Sequence, residues 1–238
     1  MEKKSNKLAI VGCSDSRGTT PFEDESFEIW GVNNLFHHIP RWDKWFEIHR
    51  ITHNGLNFLR RGELNFRGES VDDYLKGIDK LNCPVYMQRE WPEIKQSVKY
   101  PLKEIIGEFG NYFTNTISYM IALGIYEKYE EIHIYGVDMA VDTEYQWQRP
   151  SCEYFIGLAE GRGIKTYLPP ESDLIKTRFL YGFEETELTS WNKKMKNMKK
   201  AMIERLNKST KQKEEAYKKE QQYIGALEAV KEIDKVWK

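Results

Sequence analysis

The sequence predicts an α/β protein: a Rossmann-like, mostly parallel sheet with flanking helices, plus a C-terminal helical hairpin or coiled-coil extension. Two observations predict it. Short β-branched apolar runs alternate with helical patterns over residues 1–183, as expected of parallel strands joined by crossover helices. Near residue 183 the composition changes: the rest of the chain has no proline and one glycine, Gly225, and its apolar residues recur at heptad-like steps. Residues 1–183 therefore read as one domain and 184–238 as a helical extension.

In chain order, KLAIVG (7–12) reads as a short buried strand running into a polar turn, and EIWGVN (28–33) as a second. WDKWFEIH (42–49) alternates in part and ends in His49. PVYMQ (84–88), 132–138 and 164–168 complete six expected strands. Helices are expected at about 70–80, 115–128 and 150–162, the second capped by Asn115-Thr116. Residues 50–70, rich in Asn, Gly and Arg, read as a long polar insertion. Beyond 183, Leu188, Trp191, Met195, Met198 and Met202 form one narrow seam, and Ala226, Val230, Ile233 and Trp237 a second. The polar run Asn207–Thr210 between them reads as a break between two helices. Such seams pack on the core domain or on another subunit, with a disordered basic tail as the rival, and homo-oligomerisation through the C-terminal helices is the expectation.

Composition excludes several function classes. With 36 basic against 37 acidic residues, no broad nucleic-acid surface is implied. No apolar run approaches the roughly 20 residues of a membrane span, and the opening MEKKSNK lacks the apolar core of a signal peptide. Three widely spaced cysteines, Cys13, Cys83 and Cys152, suit a reducing, cytoplasmic compartment better than a disulfide framework or zinc site. His37-His38 finds no matching ligand cluster, so no metal is expected.

Polar residues gather where expected strands end, and α/β sheets place ligands at the carboxyl ends of their strands. After the first strand come Gly12, Ser14 and Arg17, suited to backbone approach and a guanidinium fork on phosphate. After the second come Asn33 and Asn34, whose carboxamides can read a base or sugar edge or cap the turn. His49 ends the third, as a general-base or phosphate-contact candidate or a structural histidine. Asn115, Thr116 and Ser118 open an apolar helix whose N-terminus favours anions. The densest cluster follows the fifth strand: Asp138, Asp142, Glu144, Tyr145, Gln148 and Arg149 fall within residues 138–149. Its carboxylates, Tyr145 and Arg149 suit ribose hydroxyls, acid/base chemistry or a solvated salt-bridged loop.

The run Asn115–Gly124 followed by Glu131–Asp138 resembles a pattern in two Rossmann-like families. These are the bacterial sialyltransferases that use a cytidine-monophosphate sugar donor, and the motility-accessory proteins with a hydroxymethylpterin-pyrophosphokinase-like domain. Residues 7–169 also resemble a Rossmann-like protein group common in bacteriophage genomes, through Glu28–Gly31, Trp45–His49 and Asp138-Met139. The first turn departs from the sialyltransferase pattern: Gly12-Cys13-Ser14-Asp15-Ser16-Arg17 stands where that family has a Gly-Asn-Gly-Pro-Ser-like turn. The resemblance implies a nucleotide or nucleotide-sugar ligand and glycosyl transfer, in the host cytoplasm if the chain is phage-encoded.

The resulting expectation is a nucleotide-sugar-dependent transferase. Gly12, Ser14, Arg17, Asn33, Asn34, Asn115, Thr116, Ser118, Asp138 and Tyr145 would bind the donor. His49 or Glu144 would act as base, and Arg149 would face the leaving phosphate. The alternatives are a non-catalytic binder of a nucleotide-derived signal, such as a viral sequestering protein, and a nucleotide hydrolase or glycosidase.

Overall fold

In the computed structural model, residues 4–56, 59–65, 67–139, 147–177, 180–183 and 187–236 are described. Two compact units divide the chain, residues 1–176 and 177–238.

The first unit is an α/β domain with a seven-stranded, all-parallel sheet. Its strands are β1 (Lys7–Val11), β2 (Phe27–Val32), β3 (Lys44–Glu47), β6 (Val85–Met87), β7 (Ser97–Lys99), β8 (Glu131–Tyr135) and β9 (Lys165–Tyr167). They lie in the order β7-β6-β3-β2-β1-β8-β9. A separate two-stranded antiparallel pair, β4 (Gly55–Leu56) and β5 (Leu59–Arg60), occupies the 50–70 insertion. The helices are α1 (Val71–Asp79), α2 (Leu102–Phe109), α3 (Thr116–Tyr126) and α4 (Arg149–Gly161). β7 and α2 were not expected from the sequence. A three-residue edge strand and an eight-residue helix are too short for periodicity to declare.

Successive residues of β1 serve opposite faces of the sheet. Leu8 and Ile10 join Trp30, Phe46, Ile105, Ile121 and Phe155 in one core, which takes in α2, α3 and α4. Ala9 and Val11 join Ile29, Trp45, Val85, Tyr74 and Ile78 in the other, under α1. Almost every residue of α3 from Ile117 to Ile125 is buried, as befits a helix apolar on all sides. A capping box starts α1: Ser70 Oγ accepts from the Asp73 N–H, and the Asp73 carboxylate accepts from the Ser70 N–H, each at 3.2 Å.

The C-terminal unit differs from the hairpin expectation. Helix α5 (Glu187–Val236) is continuous over 50 residues, about 75 Å at 1.5 Å per residue. Asn207–Thr210 lies within it. That run holds neither proline nor glycine, and the Thr210 hydroxyl donates to the Leu206 carbonyl one turn back at 3.0 Å. Polarity alone is not a stop signal. Among the described residues, no helix is long and apolar enough to cross a membrane.

Two glycines let the ends of β1 and β8 meet. A Cβ on Gly12 would stand 2.4 Å from the Gly136 carbonyl oxygen, and one on Gly136, at φ +64°, 2.4 Å from the Gly12 oxygen. Gly136→Ala should therefore lower unfolding stability by about 2–4 kcal/mol, from left-handed strain and overpacking together. An unchanged urea midpoint would contradict this.

Candidate functional site

The connections leaving the sheet's centre diverge between β1 and β8. Crossovers from β1 run toward β2 and β3, whereas β8 begins the other half, so a crevice opens outside their carboxyl ends. There the chain crosses itself closely. The Gly12 N–H donates to the Tyr135 carbonyl and the Ser14 N–H to the Gly136 carbonyl, both at 2.8 Å. Buried Ser16 joins the two loops: its Oγ accepts from the Gly136 N–H at 2.9 Å and donates to Asp138 Oδ1. Asp138 is thereby aimed by a hydroxyl that approaches from the other loop.

A cavity of about 320 Å³ lies over this crossing. From the β1 and β8 loops its wall takes Gly12, Cys13, Ser14 and Asp138. Asn33, His49, Thr116 and Gln148 line it from other elements.

Asn33 follows β2 in the left-handed region, φ 55°, a conformation asparagine tolerates better than most residues. Trp45 holds it there: the indole N–H donates to the Asn33 carbonyl at 3.0 Å. Gly31 makes room for that ring, since a Cβ there would fall 2.1 Å from it. The carboxamide Oδ1 of Asn33 is buried and has no hydrogen-bond partner among the described residues. A buried acceptor left unpaired is costly unless something donates to it.

His49 stands just past β3. Its Nδ1 lies 2.6 Å from Glu47 Oε1, which also accepts from the His49 backbone N–H at 3.0 Å. Glu47 is fully buried, and its second oxygen accepts the Tyr74 hydroxyl from α1. Burial, and next the Glu47 carboxylate, hold the Tyr74 phenol well above its ordinary pKa, so it remains a donor. A carboxylate at Nδ1 places the neutral imidazole's proton on that nitrogen and its lone pair on Nε2. The result is an oriented histidine at the cavity wall, backed by a buried carboxylate and a phenol.

The N-terminus of α3 also lines the cavity. Thr116 and Ile117 line the cavity, and their backbone N–H groups belong to the first turn of an 11-residue helix, which favours an anion. Asn115 itself is committed. Its Oδ1 caps the Ser118 N–H at 2.9 Å, and its Nδ2 donates to the Gln148 carbonyl at 2.8 Å. Thr114 Oγ1 donates to the same carbonyl at 3.0 Å. These bonds tie α3 to the start of α4.

Of the residues singled out in the sequence, Gly12, Ser14, Asn33, His49, Asn115, Thr116 and Asp138 line this one cavity. Arg17, Asn34, Ser118 and Arg149 are not among its lining residues. Arg17 folds back to donate to the Cys13 and Ser14 carbonyls at 2.6 and 3.0 Å. Ser118 is fully buried and donates to the Asn115 carbonyl at 2.7 Å. Arg149 pairs through Nε with Glu153 at 2.8 Å. Glu144 and Tyr145 lie outside the described residues. Cys13, Thr114, Glu47 and Tyr74 were not chosen as site residues. Tyr74 carried no signal, because only tertiary packing brings α1 to the end of β3. Among the described residues no group of three or more His, Cys, Asp or Glu side chains could hold a metal ion, and His37 pairs with Glu69 at 3.0 Å.

No protein-family model and no curated protein matches the chain. Among solved structures, it is similar to the Campylobacter jejuni sialyltransferase CstII in complex with cytidine-5'-monophosphate. That match has 12% identity, covers 76% of this chain and 90% of the other, and has a TM-score of 0.45. It is likewise similar to an alpha-2,3-sialyltransferase from Campylobacter jejuni in apo form, at 14% identity, 84% and 96% coverage, and a TM-score of 0.43. At such low similarity the chemistry must be read from the site's own residues.

Removing the Tyr74 hydroxyl leaves a fully buried carboxylate one donor short. Tyr74→Phe should cost about 1–3 kcal/mol in chemical denaturation; an unchanged midpoint would show that the bond contributes nothing.

Proposed function

We propose that this protein binds a nucleotide in the switch-point cavity and acts as a nucleotide-sugar-dependent glycosyltransferase. The observation that carries the reading is the Tyr74–Glu47–His49 chain ending at a cavity that a helix N-terminus also lines. Glycosyl transfer needs a base for an acceptor hydroxyl and a cradle for a leaving phosphate, and these two features supply them.

In this reading the donor phosphate sits against the amides of Thr116 and Ile117, beside the Gly12–Ser14 turn. Asn33 lines the same cavity, and its carboxamide meets the polar edge of the nucleoside. Asp138, fixed by Ser16, accepts from sugar hydroxyls. His49 Nε2 takes the acceptor's proton as its oxygen bonds to the anomeric carbon and the phosphate departs. Charge on the leaving group meets the α3 amides rather than Arg149, whose guanidinium is turned to Glu153. A cavity of about 480 Å³ begins at Ile51, two residues beyond His49. There the Arg89 guanidinium lies 4.1 Å over the Trp91 ring, and Arg61 pairs with Asp72 at 2.6 Å. Aromatic and charged groups of this kind suit a polyhydroxylated acceptor.

The test is incubation of the purified protein with a panel of nucleotide sugars. Slow release of free nucleotide is expected, and His49→Ala should reduce it at least about 100-fold, the scale of general-base catalysis, while calorimetric nucleotide binding persists. Asn33→Ala should instead weaken binding about fivefold to tenfold, the scale of one hydrogen bond. Intact donors after prolonged incubation, with nucleotide still bound, would replace the transferase reading with that of a non-catalytic binder.

A further inference from the structure

Helix α5 presents an apolar seam that the 1–176 unit's chemistry does not use. Trp191, Met195, Met198 and Met202 alternate at steps of 4, 3 and 4; Tyr223, Ala226, Val230 and Ile233 do so at 3, 4 and 3. Met202 and Val230 are four heptads apart, so both blocks share one heptad phase along one uninterrupted helix. Trp191 is 58%, Met202 51%, Val230 62% and Ile233 60% exposed. Leu206 and Leu227 flank the seam and are exposed as well. Between the blocks the seam positions are Arg205, Ser209, Gln212, Ala216 and Lys219, polar for the most part, which in coiled coils specifies alignment at a cost in stability.

Charges beside the seam select the partner and its direction. With Met195, Met202, Ser209 and Tyr223 at a positions, the flanking e and g positions hold Lys194, Lys199, Lys208, Lys213, Glu215 and Glu220. A parallel pair of these helices sets Lys194 against Lys199, Lys208 against Lys213 and Glu215 against Glu220, so each of these contacts is repulsive. An antiparallel pair centred between Ser209 and Gln212 sets Lys199 against Glu220 and Lys208 against Glu215, each twice by symmetry, with no like-charge contact at these positions. The same alignment places Trp191 opposite Val230 and Met198 opposite Tyr223, covering both apolar blocks. A shift of one heptad would bring Glu215 onto Glu215 and Lys213 onto Lys213.

We propose that α5 is a self-association element that pairs antiparallel with α5 of a second copy, about a twofold axis between Ser209 and Gln212. The interface is isologous and closed, so association stops at the dimer. The catalytic reading of the 1–176 unit is not required for it.

Sedimentation of the full chain tests the proposal. A dimer is expected. Lys208→Glu turns two attractive contacts into repulsive ones and should weaken dimerisation about tenfold, and Lys208→Glu with Glu215→Lys should restore it. In a parallel pair Lys208→Glu would instead face Lys213 and tighten association. A monomer at every concentration, a dimer that Lys208→Glu tightens or leaves unchanged, or a failed rescue by the double variant would overturn the proposal.

Discussion

The close crossing of the chain at Gly12 and Gly136 is the constraint on which the site depends. Two strand ends at the centre of a parallel sheet approach until no side chain fits between them, each glycine's missing Cβ leaving room for the other's carbonyl. That contact brings Ser14 within reach of Gly136 and lets Ser16 bond both the Gly136 amide and the Asp138 carboxylate. The backbone crossing is thus also the floor of the cavity. Anything that separates the loops would disperse the polar groups around it.

Strand β3 deals with buried charge in two ways. At its start, buried Lys44 is held by Glu28 at 3.1 Å and Glu127 at 2.7 Å, and lies 4.7 Å over the Trp30 ring. Fixed charges of opposite sign compensate one another there, as buried ions require. At its end, buried Glu47 has no lysine or arginine in an ion pair among the described residues; it meets Tyr74 and His49. The Glu47 carboxylate orients a histidine at a cavity wall, whereas the Lys44 charge is closed off within its own cluster. Both buried charges, Lys44 and Glu47, belong to one strand only four residues long.

Part of this site was legible along the chain. Residues that end strands, such as Gly12, Asn33, His49 and Asp138, could be picked out because a parallel sheet brings all its carboxyl ends to one edge. Asn115 was legible as a cap, since an asparagine before an apolar helix satisfies a first-turn amide. Arg17 and Arg149 were not predictable in the same way. A long guanidinium side chain goes to whichever acceptors the fold leaves near it, and here those are the Cys13 and Ser14 carbonyls and the Glu153 carboxylate. Tyr74 was invisible, because its partner is 27 residues away on another element.

By itself the sequence determined the alternation of strands and helices, the edge where polar groups collect, and the heptad phase of the last 50-odd residues. Each follows from local periodicity, which needs no knowledge of neighbours. Tertiary structure alone decided which polar atoms are consumed by the fold and which face the cavity. It occupied the carboxamide of Asn115 and left Asn33 Oδ1 buried without a hydrogen-bond partner among the described residues. The passage of α5 through Asn207–Thr210 is by contrast a local matter, since a polar run with neither proline nor glycine gives a helix no physical reason to stop.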